Sequence, residues 1–256
     1  MEGRRVLVTG VRNRWSIAWH AAQALSREGA RLAYSVFSER EENVVRKLQD
    51  AAGYEAPIFR CDAQDDSQVE ALFASVGRAF DWQLDGLLHS IASARREDLD
   101  GEFASTPRDG FVLAHEASAY TLVSLARGAR PLLAAAGGGA IVTLTYLGAE
   151  RAVPHYNVMG VAKASLEACV RYLAVDLGPE NIRVNAVSAG PLKTASASGV
   201  RGFDGLARLV PERAPLRRAT DPAEVADAIV FLMSPLGRGV TAEVLHVDAG
   251  YHAVGA

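Results

Sequence analysis

The stretch YNVMGVAK (156–163) sets a phenol, Tyr156, seven positions before an ammonium, Lys163, and a second phenol, Tyr146, stands ten positions before the first. Seven residues is close to two helical turns. On a helix the two groups share a face, about 10 Å apart along the axis, with Met159 on the same stripe. On an arbitrary helix the ordinary account of such a face is an apolar stripe with a lysine whose stem lies along it and whose head reaches water. Three features favour chemistry. The helix follows a buried strand, Pro154 and His155 place Tyr156 in its first turn, and Tyr146 ends the strand itself. A phenol fixed there can donate a hydrogen bond to an oxygen on which charge develops, which is often the largest contribution to catalysis.

The elements that must hold these groups are legible as an alternation. RRVLVT (4–9), RLAYSV (31–36), PIFRCD (57–62), LDGLLHS (84–90), AIVTLT (140–145), IRVNAVS (182–188) and EVLHVD (243–248) read as strands. Helical patterns fill 16–29, 67–80, 108–134 and roughly 155–178. Ser38 with Glu41 three residues later is a capping box that starts another helix. Asp221 followed by Pro222 starts a further one. Strands separated by helices need right-handed crossovers and a parallel sheet, and the near-continuous apolar runs suit strands covered on both faces. The expectation is an α/β, doubly wound parallel sheet of the Rossmann type, about seven strands, in a single domain spanning 1–256. Ligands of such sheets bind beyond the carboxyl ends of the strands.

Composition narrows the function classes. Hydrophobic residues make up 49% and charged residues 22% of the 256, the balance of an ordinary globular protein. A net charge of -3 calls for neither nucleic acid nor a membrane surface. Two cysteines, Cys61 and Cys169, make neither a disulfide framework nor a multi-cysteine metal site, and fit a reducing, cytoplasmic setting. The six histidines show no H-E-x-x-H or comparable spacing, so no metal is expected. MEGRRVLVTG has no cleavable signal pattern. The uncharged run 131–149 is long enough to suggest a membrane span, but Gly137, Gly138 and Gly139 break it into a helix end, a turn and a buried strand.

The ends of the strands carry a nucleotide pattern. VTGVRNRWSIA (8–18) is a strand–turn–helix in the first βα unit, where N–H groups at a helix start hold a pyrophosphate. Only Gly10 of the usual three glycines is present, so the motif alone is weak. Asp62 ends the third strand, where a carboxylate can accept from an adenine amino group or cap the next helix. His89, Ser90, Ile91 and Ala92 end the fourth strand with small residues that allow close approach. The end of the second strand, where an acid would bind a ribose 2′-hydroxyl, holds Phe37, with no acid or arginine there and Arg40 one turn further on. The reading favours NADH and leaves NADPH open.

Short-chain dehydrogenases usually place tyrosine four residues before the lysine. Here that place is Met159, which has no proton to offer, and the phenol lies about 5.4 Å further along the helix. Hydride delivered to the β carbon of an unsaturated carbonyl lands two bonds further from the oxygen than hydride delivered to a ketone. An enolate forms, and a displaced donor suits it. The run 145–200, with Tyr-x6-Lys, the intervening methionine and Tyr146, resembles enoyl-[acyl-carrier-protein] reductases of the divergent short-chain dehydrogenase class. The resemblance extends over almost the whole chain.

It implies NAD(P)H-dependent reduction of trans-2-enoyl thioesters on acyl carrier protein in type II fatty acid synthesis, by a homotetramer. It implies that Tyr156 donates to the thioester oxygen, that Tyr146 is a second active-site tyrosine near the substrate end, and that Lys163 holds the nicotinamide ribose. Gly10, Ser16 and Ile17 would meet the pyrophosphate, Asp62 and Ala63 the adenine, with Phe37, Ser90 and Ile91 along the cofactor. Leu192, Thr194 and Ser196 would cover the nicotinamide; Ala94 and Met159 would touch substrate. Ala92 and Ser93 stand where many members carry an aromatic, which bears on the acyl pocket. The Gly-, Ala- and Ser-rich segment at about 192–210 is a candidate lid. In it Phe203 and Leu206 would cover the acyl chain, and Lys193, Arg201 and Arg208 would meet the acidic carrier. The rival readings are a 3-oxoacyl (carbonyl) reductase of the same superfamily and a non-catalytic dinucleotide-binding regulator.

Overall fold

The structure, a computed structural model, describes residues 1–192 and 203–254; at 203, 204 and 206–208 it describes the backbone. Seven parallel strands form one sheet: β1 (Arg5–Thr9), β2 (Arg31–Val36), β3 (Ile58–Arg60), β4 (Gly86–His89), β5 (Gly139–Thr145), β6 (Ile182–Ala189) and β7 (Val244–Val247). Their order is β3-β2-β1-β4-β5-β6-β7. Leu7 pairs in register with Ala33 on one side and with Leu87 on the other. The chain therefore winds outward from β1 in one direction and from β4 in the other. The gap between their carboxyl ends is the switch point where such sheets bind ligands.

Period-two alternation sorts the core into two layers. Val6 and Val8 face α1 (Ile17–Arg27), α2 (Glu39–Ala52) and α8 (Pro222–Met233), while Leu7 faces α3 (Asp66–Ala79), α5 (Thr121–Ala135) and α6 (Asn157–Leu177). Leu7, Leu87 and Ile141 are fully buried, and each such side chain stabilises the fold by about 1.5–3 kcal/mol.

Three elements differ from the sequence reading. The single helix expected over 108–134 is α4 (Arg108–His115), a π turn (Glu116–Tyr120) and α5. The wide turn lets the buried Ser118 hydroxyl accept from the Ser93 amide and donate to the Ser93 carbonyl, both at 3.1 Å. The Ser38 box is half formed: Ser38 accepts from the Glu41 amide at 3.3 Å, but the Glu41 carboxylate takes the Phe37 amide at 2.9 Å. At α8 the box is complete. Residues 203–213, loop-like in sequence, form α7 (Phe203–Arg213), whose end is anchored by buried Val210 and Ala214. Residues 131–149 are the end of α5, a glycine turn and β5. Among the described residues no helix is long and apolar enough to cross a membrane.

Candidate active site

The carboxyl ends of β1 to β6 open into one cleft of about 590 Å³, within the size range of small-molecule sites. Its floor at the switch point is backbone against backbone. Gly10 has φ +80°, and a Cβ there would lie 2.0 Å from the Ser90 carbonyl oxygen. Only glycine permits that approach. Ser16, at the N-cap of α1, turns its hydroxyl back to accept the amides of Arg12 and Asn13, both at 3.1 Å, and so fixes the loop. It makes no side-chain cap to the helix, and the first turn carries no acid. The first N–H groups of α1, including that of Ile17, thus remain for an anion. These features fit a dinucleotide pyrophosphate.

The end of the cleft beside β2 and β3 resolves one ambiguity. Asp65 caps α3 through the amides of Ser67 and Gln68. Asp62 accepts from the Gln64 amide at 3.0 Å and lines the cleft with Ala63. Phe37 is 65% exposed at the rim. Arg40, one turn beyond the end of β2, is exposed on α2 and outside the cleft lining. Arg12, which the sequence reading passed over, and Glu41, read there as half of a capping box, are there instead, paired at 3.4 Å. A carboxylate does therefore stand near the end of β2, reached from the first turn of α2.

The reacting end is built at the close of β5. Tyr146 continues the strand in extended conformation. A 3₁₀ turn (Leu147–Ala149) follows, and Tyr156 occupies the N-cap of α6 rather than its first turn. Both neighbours of Tyr156 have left-handed backbone: His155 at φ 60° and Asn157 at φ 34°. Such non-glycine residues cost about 1–3 kcal/mol each and persist where the surroundings hold them. Here His155 Nδ1 bonds Asp100 at 2.7 Å and the Asn157 amide donates to the Gly101 carbonyl at 3.1 Å. The segment 100–101 thereby fixes the turn that presents the phenol. Sequence reasoning missed both anchors. An asparagine beside a helix start, tolerant of left-handed backbone, was the one available signal.

The Tyr156 ring lies on Gly148, where a Cβ would be 2.4 Å from Tyr156 Cδ1, and meets the Tyr146 ring edge-on with centroids 5.1 Å apart. Burial raises both phenols well above their ordinary range, so both remain protonated donors. The Tyr146 hydroxyl is buried and has no hydrogen-bond partner among the described residues. Lys163 is buried and donates to the Leu144 carbonyl at 2.7 Å. Burial pulls its pKa down to about 8, with Glu167 one turn along α6 acting the other way. Met159, buried, fills the place between them.

His89, in sequence only one member of a strand end rich in small residues, has a structural partner on each side. It is fully buried between Thr143, at 2.7 Å from Nδ1, and Thr121, at 3.0 Å from Nε2. Burial first, and then Lys163, holds it down to about 3, so it is neutral. Thr121 donates to the Ala117 carbonyl at 2.9 Å, which leaves its oxygen to accept from Nε2–H and assigns the tautomer.

Gly10, Ser16, Ile17, Phe37, Asp62, Ala63, Ser90, Ile91 and Leu192 all line the cleft, and so do Ala94, Tyr146, Tyr156, Met159 and Lys163. Thr194 and Ser196, with Lys193 and Arg201, lie outside the described residues; of Phe203, Leu206 and Arg208 only the helical backbone is described. The sequence model of the family described as Enoyl-(Acyl carrier protein) reductase matches residues 10–252. The chain belongs to that family.

Relatives within the family carry both cofactor designations. The enoyl-[acyl-carrier-protein] reductase [NADH] of Bacillus subtilis (strain 168) is 49% identical over 253 residues, covering 98% of this chain and 97% of the relative. The enoyl-[acyl-carrier-protein] reductase [NADPH] of Staphylococcus aureus (strain MRSA252) is 46% identical over 255 residues, covering 99% and 98%. The crystal structure of the Bacillus cereus enoyl-acyl carrier protein reductase with NADP+ and indole naphthyridinone matches with a TM-score of 0.96 at 50% identity, covering 100% of this chain and 98% of the other.

Proposed function

We propose that this chain reduces trans-2-enoyl thioesters carried on acyl carrier protein, the last step of the type II fatty acid elongation cycle, with NADH as the favoured reductant. The observation that carries the reading is the displaced phenol. Buried Met159 stands four residues before Lys163, and the donor, Tyr156, stands one turn beyond it at the helix N-cap. A donor so placed serves an oxygen two bonds away from the carbon that receives hydride.

When bound, the reduced nicotinamide supplies that hydride. The chain does the rest. Gly10, Ser16 and Ile17 seat the pyrophosphate, Asp62 and Ala63 border the adenine, and Lys163 holds the nicotinamide ribose hydroxyls. Ser90, Ile91 and Leu192 wall the cofactor side. Tyr156, kept protonated by burial, donates to the thioester oxygen as the enolate forms. Tyr146 packs edge-on against it and lines the substrate end with Ala94 and Met159. Charge-assisted hydrogen bonds in a dry site are stronger than neutral ones.

The segment 192–210, which includes Thr194, Ser196 and Phe203, is read as the cover of the nicotinamide and acyl chain from its composition and its place after β6. The working form is a cytoplasmic homotetramer. Exposed Val161, Tyr172 and Val175 along α6 support an assembly face, as they would otherwise leave apolar surface in water.

The test follows loss of reduced-nicotinamide absorbance with a trans-2-enoyl thioester and, separately, a 3-oxoacyl thioester, using NADH and NADPH in turn. Oxidation with the enoyl substrate alone supports the reading. Oxidation with the 3-oxo substrate alone sinks it in favour of a carbonyl reductase.

A further inference from the structure

Glu41 does something a helix start does not require. Its carboxylate bypasses the Ser38 amide, which would complete the cap, and reaches back along the cleft rim. One oxygen accepts the Phe37 amide at 2.9 Å, and the other faces Arg12 Nε at 3.4 Å. Both residues line the cleft. Stability does not account for the pair. The Arg12 side chain is 56% exposed, and exposed ion pairs of this kind contribute about 0–1 kcal/mol. The neighbouring acids are otherwise engaged: Glu42 pairs with Arg46 at 2.6 Å and Arg60 at 2.9 Å, and Glu39 lies 4.0 Å from Arg60.

The place of the pair gives it a use. In a doubly wound sheet the end of the second strand faces the adenosine ribose of a bound dinucleotide. A carboxylate there accepts from the 2′-hydroxyl and repels a 2′-phosphate; an arginine there does the reverse. This chain has one of each, paired at 3.4 Å. Arg12 comes from the phosphate loop after β1 and Glu41 from the start of α2, so they meet across that ribose position.

We propose that Glu41, fixed by Arg12 and by the Phe37 amide, selects NADH over NADPH in this site. The proposal rests on the cleft being the dinucleotide site of the reductase described above. The Phe37 amide, which donates to it, and the ion pair with Arg12 set the carboxylate in place before ligand arrives. Arg12 is neutralised by the same contact, and meeting a 2′-phosphate would mean leaving Glu41 unpaired beside a dianion. The latent phosphate site is therefore present but masked, and removing one negative charge unmasks it.

The experiment titrates NADH and NADPH into the wild type, Glu41→Gln and Glu41→Gln/Arg12→Ala, with no thioester present, and reads dissociation constants from nicotinamide fluorescence. The Glu41→Gln change keeps a side-chain oxygen for the Phe37 amide, and the Ser38 cap uses the backbone of residue 41, so only the charge changes. The wild type is expected to bind NADH at least tenfold more tightly than NADPH. Glu41→Gln is expected to move that ratio at least tenfold toward NADPH, and the double variant to lose most of the gain because Arg12 supplies it. A wild type that binds NADPH as tightly as NADH overturns the proposal, as does a Glu41→Gln ratio within twofold of the wild type. A double variant that keeps the full gain overturns the part given to Arg12. Turnover of the enoyl thioester is measured separately. Its absence beside an intact binding ratio would sink the assigned reaction and leave the selector standing, and binding of neither nucleotide would sink both.

Discussion

Replacing Tyr146 by phenylalanine should make this protein more stable and less active at once. The Tyr146 hydroxyl is buried without a partner among the described residues, and a buried polar group left unsatisfied costs about 1–3 kcal/mol. The phenyl ring keeps the edge-on contact with Tyr156, at 5.1 Å between centroids, so packing changes by one oxygen atom. For a chain of this size each kcal/mol moves the melting temperature by about 2–4 °C, which places the expected rise at about 2–12 °C. Burial, with Tyr251 and Asp248 adding to it, holds the phenol pKa well above its ordinary range. The same neutral hydroxyl is therefore removed at any pH from about 6 to 9. The assay is thermal unfolding followed by near-ultraviolet circular dichroism at fixed protein concentration and scan rate, since assembly and irreversibility both move the midpoint. In parallel, kcat/KM for a trans-2-enoyl thioester should fall by about tenfold or more, because a hydroxyl kept at a cost to stability is held for use in the occupied site. A variant that melts at or below the wild type would refute the premise that the hydroxyl is unsatisfied. A more stable variant with unchanged kcat/KM would refute its use in the reaction.

Three further outcomes follow from the same geometry. Tyr156→Phe removes the donor proposed for the developing enolate and should lower kcat by about 10²–10³-fold, with the dissociation constant for NADH held within about twofold in a binding titration. Gly148→Ala places a methyl 2.4 Å from Tyr156 Cδ1, and the displaced phenol should cost about tenfold to a hundredfold in kcat; steady-state rates beside an NADH titration separate this from lost cofactor binding. Lys163, lowered by burial to about 8, is charged below that pH and neutral above it, facing Glu167 and the neutral His89. NADH affinity should therefore weaken as pH rises through about 8, and a flat profile in the wild type, or an unchanged slope in Lys163→Met, would contradict the assignment.

Much of this site was legible because strand ends are marked by local chemistry. The apolar runs at 31–36 and 140–145 are covered on both faces, so their limits coincide closely with β2 (Arg31–Val36) and β5 (Gly139–Thr145). Tyr156 and Lys163 stand out through helical spacing, which depends only on the chain near them. Other features were hidden because they depend on distant partners. The π turn needs Ser118 to find the backbone of Ser93, and nothing in EASAY announces it. The left-handed residues on either side of Tyr156 need Asp100 and Gly101, more than fifty positions earlier in the chain. Glu41 reads locally as half of a capping box, a sound inference until Arg12 from another strand end draws its carboxylate away. Residues 203–208 follow directly on a Gly-, Ala- and Ser-rich run and carry Gly205, so they read as its continuation, whereas α7 is anchored at its far end by Val210 and Ala214 in the core.

Periodicity and spacing were enough to specify the doubly wound sheet, the succession of its strands, and the positions of the phenol, the lysine and the displaced methionine. These are short-range properties, carried by each stretch of chain without reference to the rest. Which charges meet, which hydroxyl is left without a partner, and how a strained turn presents Tyr156 were settled only by folding. Those depend on groups brought together by the winding of the sheet, and burial among them sets the protonation of Lys163, His89 and both tyrosines.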